Sequence, residues 1–387
     1  MQRVAQDWLV LELTHNSGTA LGITTGLQFA PMLASMWGGV IADRYSKRKI
    51  LMATQAAAGA LALILGVLAL TGTVRIWHVY VLAFALGIVT VVDNPTRQSF
   101  AVEMVGRDGM ANAIALNSAV FNLARIVGPA VAGLVIAAVG TPVAFLLNAA
   151  SYLAVILGLK LMRPEELHQA PRVPRSPGQL REALDYVRVR PQLWATMILV
   201  FFVATFGMNF QVTNALMSRA VFHTGASSFG LASTMFAVGA LGGALVAARR
   251  SRPTLRLLVA MAFAFGVLEI ATGLMPDFWT FVLALIPTGL AMLSYTTASN
   301  STTQLNSTAE MRGRVMGLYM MIFLGGTPLG SPLAGWIAAE FGPRVSMITG
   351  GVISVAATVA VAFVLAHRRG NQVRSYLRPA ELARIVA

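Results

Sequence analysis

An ionisable side chain inside an apolar stretch costs about 2.5–3.5 kcal/mol on membrane-insertion scales, so it must face a partner or a cavity. This chain holds several. Arg3, Gln6, Asp7 and Glu12 fall in its first apolar segment, Asn117, Asn122 and Arg125 in a later one, and Asn209, Gln211, Thr213 and Asn214 in another. Thr90, Asp93 and Asn94 form a further group, as do Ser294, Tyr295, Thr296, Thr297 and Asn300, while Glu269 stands alone. Asp7 lies about 10 Å from the end of its segment at 1.5 Å of rise per residue, a depth at which a carboxyl can serve as a proton site. Arg125, about 18 Å into its own helix, reaches a similar level. The alternative is a structural pair, Asp7 with Arg125 or with Arg3, that moves no proton. Asp93 and Arg97 are four residues apart and can pair on one helix face, as a gate latch or as a self-neutralised helix end.

Other chemistries lack their residues. There is no cysteine. His15, His78, His168, His223 and His367 fall in loops or at span ends, without metal-ligand spacing. No Ser/His constellation lies at membrane depth, and no Gly-rich phosphate loop is present to hydrolyse ATP. The expectation is a protein that is not an enzyme, binds no metal and needs no cofactor, with the proton as coupling ion.

The elements that carry these residues are membrane spans. Of 387 residues, 56% are hydrophobic and 11% charged, with a mean hydropathy of +0.70; a soluble domain carries about 25% charged residues. The net charge of +14 sits in loops between apolar runs, which argues against a nucleic-acid partner. A short apolar run over 4–13 precedes spans at 20–42, 49–71, 77–97, 112–138 and 143–161. A Pro- and Arg-rich linker follows, with a short helix near 178–190. Six more spans are predicted at 192–218, 227–248, 254–275, 278–299, 313–338 and 344–366. The expected organisation is a six-helix half over 1–162, a linker over 163–191, a second half over 192–366 and a basic tail over 367–387. With linker and tail in the cytoplasm, all but five of the 29 Lys and Arg fall on that side or at adjoining helix ends. Arg75, Arg219 and Arg344 fall outside, and Arg3 and Arg125 lie within spans. This is the asymmetry of the positive-inside rule.

An internal repeat supports two halves related in parallel. At an offset of 202 residues Trp77 meets Trp279, Gly87 meets Gly289, Gly128 meets Gly330, Ala132-Gly133 meets Ala334-Gly335 and Gly140 meets Gly342. The repeat places Met1 opposite about Met208, inside the seventh span. Roughly fifteen residues of the first span are therefore expected upstream, through an N-terminal truncation or a mis-assigned start.

Between the second and third spans runs Gly38-Gly39-Val40-Ile41-Ala42-Asp43-Arg44-Tyr45-Ser46-Lys47-Arg48-Lys49. The motif around Gly39, Asp43, Arg44, Lys47 and Arg48 resembles the loop signature of the major facilitator superfamily (MFS). Arg125-Ile126-Val127-Gly128-Pro129-Ala130-Val131-Ala132-Gly133 resembles the fifth-helix antiporter motif, through Gly128, Pro129 and Gly133. Within the superfamily, Asp93-Asn94-Pro95-Thr96-Arg97-Gln98 looks most like the bacterial drug:proton antiporters and siderophore exporters related to the enterobactin exporter. The resemblance implies an all-α polytopic membrane protein of MFS fold, with twelve transmembrane helices in two six-helix halves and the first helix incomplete. It also implies that spans 1, 4, 7 and 10 line a central path. Gln6, Asn117, Asn122, Asn209, Gln211, Asn214, Tyr295 and Thr296 are then the substrate-path candidates, and Asp7, Arg125 and Arg3 the proton-coupling candidates. Phe84 stands where many antiporters carry an Arg, which leaves Asp7 and Arg125 to substitute. Asp43 is expected to hold the interface between halves on the cytoplasmic side, near Gly313 and within reach of Arg97.

The function expected is secondary, proton-coupled efflux of small amphipathic or apolar compounds by alternating access. An importer, a uniporter or a non-transporting sensor of the same fold are the alternatives. The partners expected are the lipid bilayer of the cell membrane and a small-molecule substrate, with the chain acting as a monomer.

Overall fold

The computed structural model describes residues 1–34, 45–105, 110–163, 179–248, 254–308 and 310–376. Gly39, Asp43 and Arg44 of the loop motif, and the side chain of Asn122, lie outside the described residues. α1 is Gln2–Leu13, and α2 is Gly18–Phe29, continued by a 3-10 turn at Ala30–Ala34. α3 is Lys47–Leu70 and α4 is Ile76–Val105. The run Met110–Leu161 is two helices, α5 before Gly140 and α6 after it. α7 occupies Pro191–Val221, α8 Ala226–Ala248, α9 Leu255–Gly273 and α10 Phe278–Leu305. α11 is Arg312–Phe341 and α12 is Pro343–Tyr376.

Among the described residues nine helical runs are long and apolar enough to cross a bilayer. Dividing one of them at Gly140 gives two spans, and α1 and α2 complete the twelve. The 12 residues of α1 fall short of the roughly 20 that a spanning helix needs.

The repeat is visible as geometry. Gly140 (φ 84°) separates α5 from α6, and Gly342 (φ 93°) separates α11 from α12. A left-handed residue between two helices is a position for glycine, and the two halves place it at corresponding points. Trp77 and Trp279 likewise begin α4 and α10 and are exposed, as suits an indole at a membrane–water boundary. Asp277 caps α10: the backbone N–H and hydroxyl of Thr280, then the N–H of Trp279, hold its carboxyl below the usual carboxylate range.

Small residues bring the halves together. A Cβ built on Gly22 of α2 would lie 3.0 Å from the carbonyl carbon of Ser331 and 3.1 Å from Cα of Gly335 on α11. A Cβ on Gly133 of α5 would lie 2.7 Å from the carbonyl oxygen of Ala226 and 3.1 Å from Cα of Gly230 on α8. Gly133 and Gly335 are repeat counterparts, and each makes the close cross-half approach that small residues permit. Gly128 does not: a Cβ there would meet nothing within 4 Å. Of the fifth-helix motif, Gly133 and the Pro129 carbonyl beside Gly230 do the packing.

These contacts gather toward the end of the bundle away from the linker. There the Trp8 and Phe229 rings stack at 6.4 Å. Arg219 Nε donates to Asn16 Oδ1 at 3.2 Å and its guanidinium lies 4.9 Å from the Trp8 ring. Nearer the middle, the Thr234 hydroxyl donates to the Ile126 carbonyl at 3.1 Å.

Among the described residues of the first half, polar contacts at the linker end run within that half. Lys47 forms an ion pair with Glu103 of α4. Arg48 donates to the carbonyls of Leu159 and Lys160 at 2.6 and 2.9 Å, satisfying the open C-terminus of α6. Asp93 accepts from the Thr54 hydroxyl and Gln55 Nε2, both at 2.7 Å, and from Arg97 at 2.9 Å. Lys47, Arg48 and Asp93 thus tie α3, α4 and α6 together. Arg97 closes this buried network from its exposed edge, which favours the structural alternative over a latch. The linker helix, Gln179–Arg188, docks on the second half through Glu182–Arg314 and through the Tyr186 hydroxyl, which accepts from the Thr308 N–H at 3.0 Å.

Candidate functional site

A cavity of about 500 Å³ lies between the halves, walled by α1, α2, α5, α7, α8, α10 and α11. It is built around a break in α7. Val203–Gly207 is a π-helical turn. Met208 (φ −87°, ψ 35°) and Asn209 (φ −97°, ψ 25°) then leave helical geometry before the helix resumes at Phe210–Leu216. A broken helix frees backbone groups that must be satisfied inside the protein. Here Asn209 Nδ2 donates to the Thr205 carbonyl at 2.8 Å, and its Oδ1 accepts from the Ser331 hydroxyl of α11 at 2.9 Å. Gly326 and Gly330 supply the room, since a Cβ on either would collide with Thr205.

The ionisable residues singled out from sequence converge here. Arg3 and Arg125 line the cavity, and Arg3 is within electrostatic reach of both Asp7 and Arg125. The Arg3 guanidinium lies 4.6 Å from the Phe29 ring. Asp7 is 1% exposed and sits behind Gln211, whose Nε2 donates to Asp7 Oδ2 at 2.7 Å. The hydrogen-bond partner of Asp7 is thus a neutral amide from the other half, with Arg3, named in the alternative of a structural pair, acting on it through the field. The carboxyl therefore joins α1 to α7 across the interface.

Of the substrate-path candidates, Asn209, Gln211 and Asn214 line the cavity, as do Gly128 and Pro129. Asn214 Oδ1 and the Thr25 hydroxyl are buried without a partner among the described residues, so both are available to a bound molecule. Four candidates are placed elsewhere. Tyr295 is 1% exposed, packed in the core of the second half. Thr296 bonds the Met292 carbonyl of its own helix at 2.9 Å. Asn117 is exposed two turns nearer the linker end, and Gln6 is buried away from the cavity wall. The lining differs from the expected four-helix path. α10 contributes Met292, and among the described residues α4 contributes none; its Asp93 is bonded to α3 and its Thr90 to its own backbone. In place of α4, the walls come from α2, α5, α8 and α11. Thr25, Ser233, Thr327 and Ser331 were missed in the sequence because single hydroxyls are ordinary in membrane helices. The rings of Phe29, Phe229, Phe236 and Phe323 were missed because the 19 Phe are spread over most of the apolar segments and nothing local sets these apart.

The cavity, the broken helix and the repeat describe a transporter, and the comparisons agree. The model of a family described as transmembrane secretion effector, MFS_3, matches residues 1–381. The staphyloferrin A transporter of Staphylococcus aureus is 26% identical over 370 residues, spanning 94% of this chain and 91% of its own length. The multidrug efflux pump Tap of Mycolicibacterium fortuitum is 28% identical, spanning 88% and 85%. The enterobactin exporter EntS of Citrobacter koseri is 24% identical, spanning 88% and 81%. Among solved structures, the nucleoside transporter NupG superposes with a TM-score of 0.71 at 15% identity, covering 94% of this chain and 96% of its own. An inward-facing, occupied bacterial homologue of the human lysosomal transporter Spinster gives 0.69 at 17% identity, covering 95% and 94%. These two show the fold. The chain is a multi-pass membrane transporter, not an enzyme, and it belongs to the transmembrane secretion effector family of the major facilitator superfamily.

Proposed function

We propose that this protein is a proton-coupled exporter of small amphipathic compounds, working by alternating access about the cavity at the α7 break. The observation that carries this is the Asp7–Gln211 bond: a buried carboxyl on one half holds the other half closed beside the cavity. A carboxylate is an acceptor only, and its bond from Gln211 is charge-assisted; protonation turns one oxygen into a donor and leaves the Gln211 bond neutral and weaker. Protonation therefore changes what holds the halves together, which is the requirement for coupling. Asp7, Arg3 and Arg125 are the coupling group in this reading. The walls combine two guanidinium groups with aromatic and Met side chains, which suits amphipathic molecules carrying acceptors or negative charge. With the linker and basic tail on the cytoplasmic side of the cell membrane, as the positive-inside asymmetry supports, the structure is the form closed toward the outside. The relatives named as efflux pump and exporter favour the outward direction.

Everted membrane vesicles test this. With an anionic dye, anilinonaphthalene sulfonate, and a cationic one, ethidium, uptake driven by a pH gradient is expected, the anionic dye being favoured, and a protonophore should abolish it. Uptake that survives collapse of the gradient would contradict proton coupling.

A further inference from the structure

Glu269 of α9 has no role in the cavity, yet it is 3% exposed in the interior of the second half, and its Oε2 has no hydrogen-bond partner among the described residues. A buried acid without a partner is costly unless it serves a purpose. The scaffold does not require one here. The repeat offset of about 202–204 residues puts Leu65-Gly66-Val67 of α3 at the corresponding place, an apolar stretch in the same position of the first half.

The surroundings of Glu269 are shaped for a carboxyl. A Cβ on Gly207 of α7 would lie 3.0 Å from Oε2, and one on Gly350 of α12 would lie 2.9 Å from Oε1. Both walls therefore carry glycine where any side chain would press on the acid. Ser354 of α12 completes that side, with its hydroxyl donated to the Gly350 carbonyl at 2.9 Å. Among the described residues no cation pairs with it. Among the described residues α7, α10 and α12 turn no charged or other titratable side chain toward Glu269, and Arg344 of α12 is bound to the carbonyls of Gly273, the last residue of α9, and of Met275 beyond it. Gly207 is also the last residue of the π-helical turn, whose Ala204 and the adjoining Met208 line the cavity. One face of this turn forms the cavity wall and the other touches the acid. π-turns inside helices concentrate at functional sites.

We propose that Glu269 is a second proton-carrying carboxyl, set behind the cavity and coupled to it through the Val203–Gly207 turn of α7. The step is proton transfer alone: the carboxylate takes one proton from hydronium, one O–H bond forming as one breaks and water leaving, and returns the proton to water when the turn rearranges and admits it. The neutral form fits the closed packing, since a buried charge there has no partner. A ligand that moves Ala204 and Met208 would move Gly207 with them and so change the cost of charging Glu269. The coupling role rests on the transport reading above, while the proton site does not.

Infrared difference spectroscopy of the purified full chain tests the site, with a bimane label on Met208→Cys reporting the turn; the native chain has no cysteine to interfere. Over the pH range in which the protein stays folded, a protonated-carboxyl band is expected to titrate reversibly. The band should be absent in Glu269→Gln and present in Asp7→Asn. The bimane emission should shift over the same pH interval and lose that shift in Glu269→Gln, which keeps the side-chain shape. A band that does not titrate, or a bimane shift unchanged by Glu269→Gln, would overturn the proposal. Should transport prove independent of protons while band and label still titrate together, the transport reading fails and the site stands. Proton-coupled transport with a silent Glu269 is the converse.

Discussion

Asp7→Asn is expected to lower proton-driven transport about 5- to 150-fold, the range of ordinary coupling free energies between two sites. Asparagine keeps the shape of the side chain and an oxygen that can still accept from Gln211 Nε2, now at 2.7 Å from the carboxyl. Packing of α1 against α7 should survive, so protein yield and thermal stability should change little. What is lost is the ability to exchange a proton. Facilitated movement of substrate down its own gradient should therefore persist while accumulation against a gradient fails. Dye equilibration and accumulation, measured in the same vesicles, separate the two. Equal loss of both would mean that Asp7 serves structure, and unchanged accumulation would remove it from the mechanism.

Gly22→Leu should act on the opposite property, the closure of the halves. Gly22 approaches the Ser331 carbonyl and the Gly335 Cα so closely that a Cβ would have to displace backbone, not a side chain. Overpacking of this kind costs about 1–3 kcal/mol, and relieving it requires α2 and α11 to part. The equilibrium should shift by about 5- to 150-fold toward the form open at the end away from the linker. In a chain without native cysteine, the rate at which Thr25→Cys reacts with an impermeant maleimide from that side should rise by that factor. Thr25 is 3% exposed and lines the cavity, so its labelling reports the opening. Gly128→Ala, where the new methyl group meets nothing within 4 Å, should leave the rate unchanged. Equal rates in all three would show that the glycine contacts do not hold the closure.

How much of this was legible in the sequence follows from what each feature depends on. Span length and hydropathy are local properties, so the twelve helices and the short α1 could be read residue by residue. The repeat carried more, because paired glycines such as Gly140 and Gly342 mark a backbone conformation that few other residues adopt. Gly133 was identified through its motif, yet the same motif overvalued Gly128: a pattern records spacing and not which glycine faces a neighbour. Asp7, Arg3 and Arg125 were found because a charge in an apolar run is conspicuous. Their arrangement was not, since the partner of Asp7 is Gln211, 204 positions away. The break at Met208–Asn209 was equally hidden. It depends on Gly326 and Gly330 of α11 making room for Thr205, and on Ser331 bonding Asn209, contacts that no local window contains. Tyr295 and Thr296 were misplaced because polarity alone does not tell which side of α10 meets the cavity.

In the proposed mechanism, movement of substrate through the cavity is tied to movement of a proton. Purified protein in sealed liposomes with a pH-sensitive dye inside tests it directly, with no pH gradient at the start. An imposed gradient of a transported compound, anilinonaphthalene sulfonate where it is accepted, is the sole driving force. Downhill flux of the compound is expected to drive protons the opposite way, building a pH difference that Asp7→Asn fails to build. Flux of the compound with no change in internal pH in the unmodified protein would contradict it.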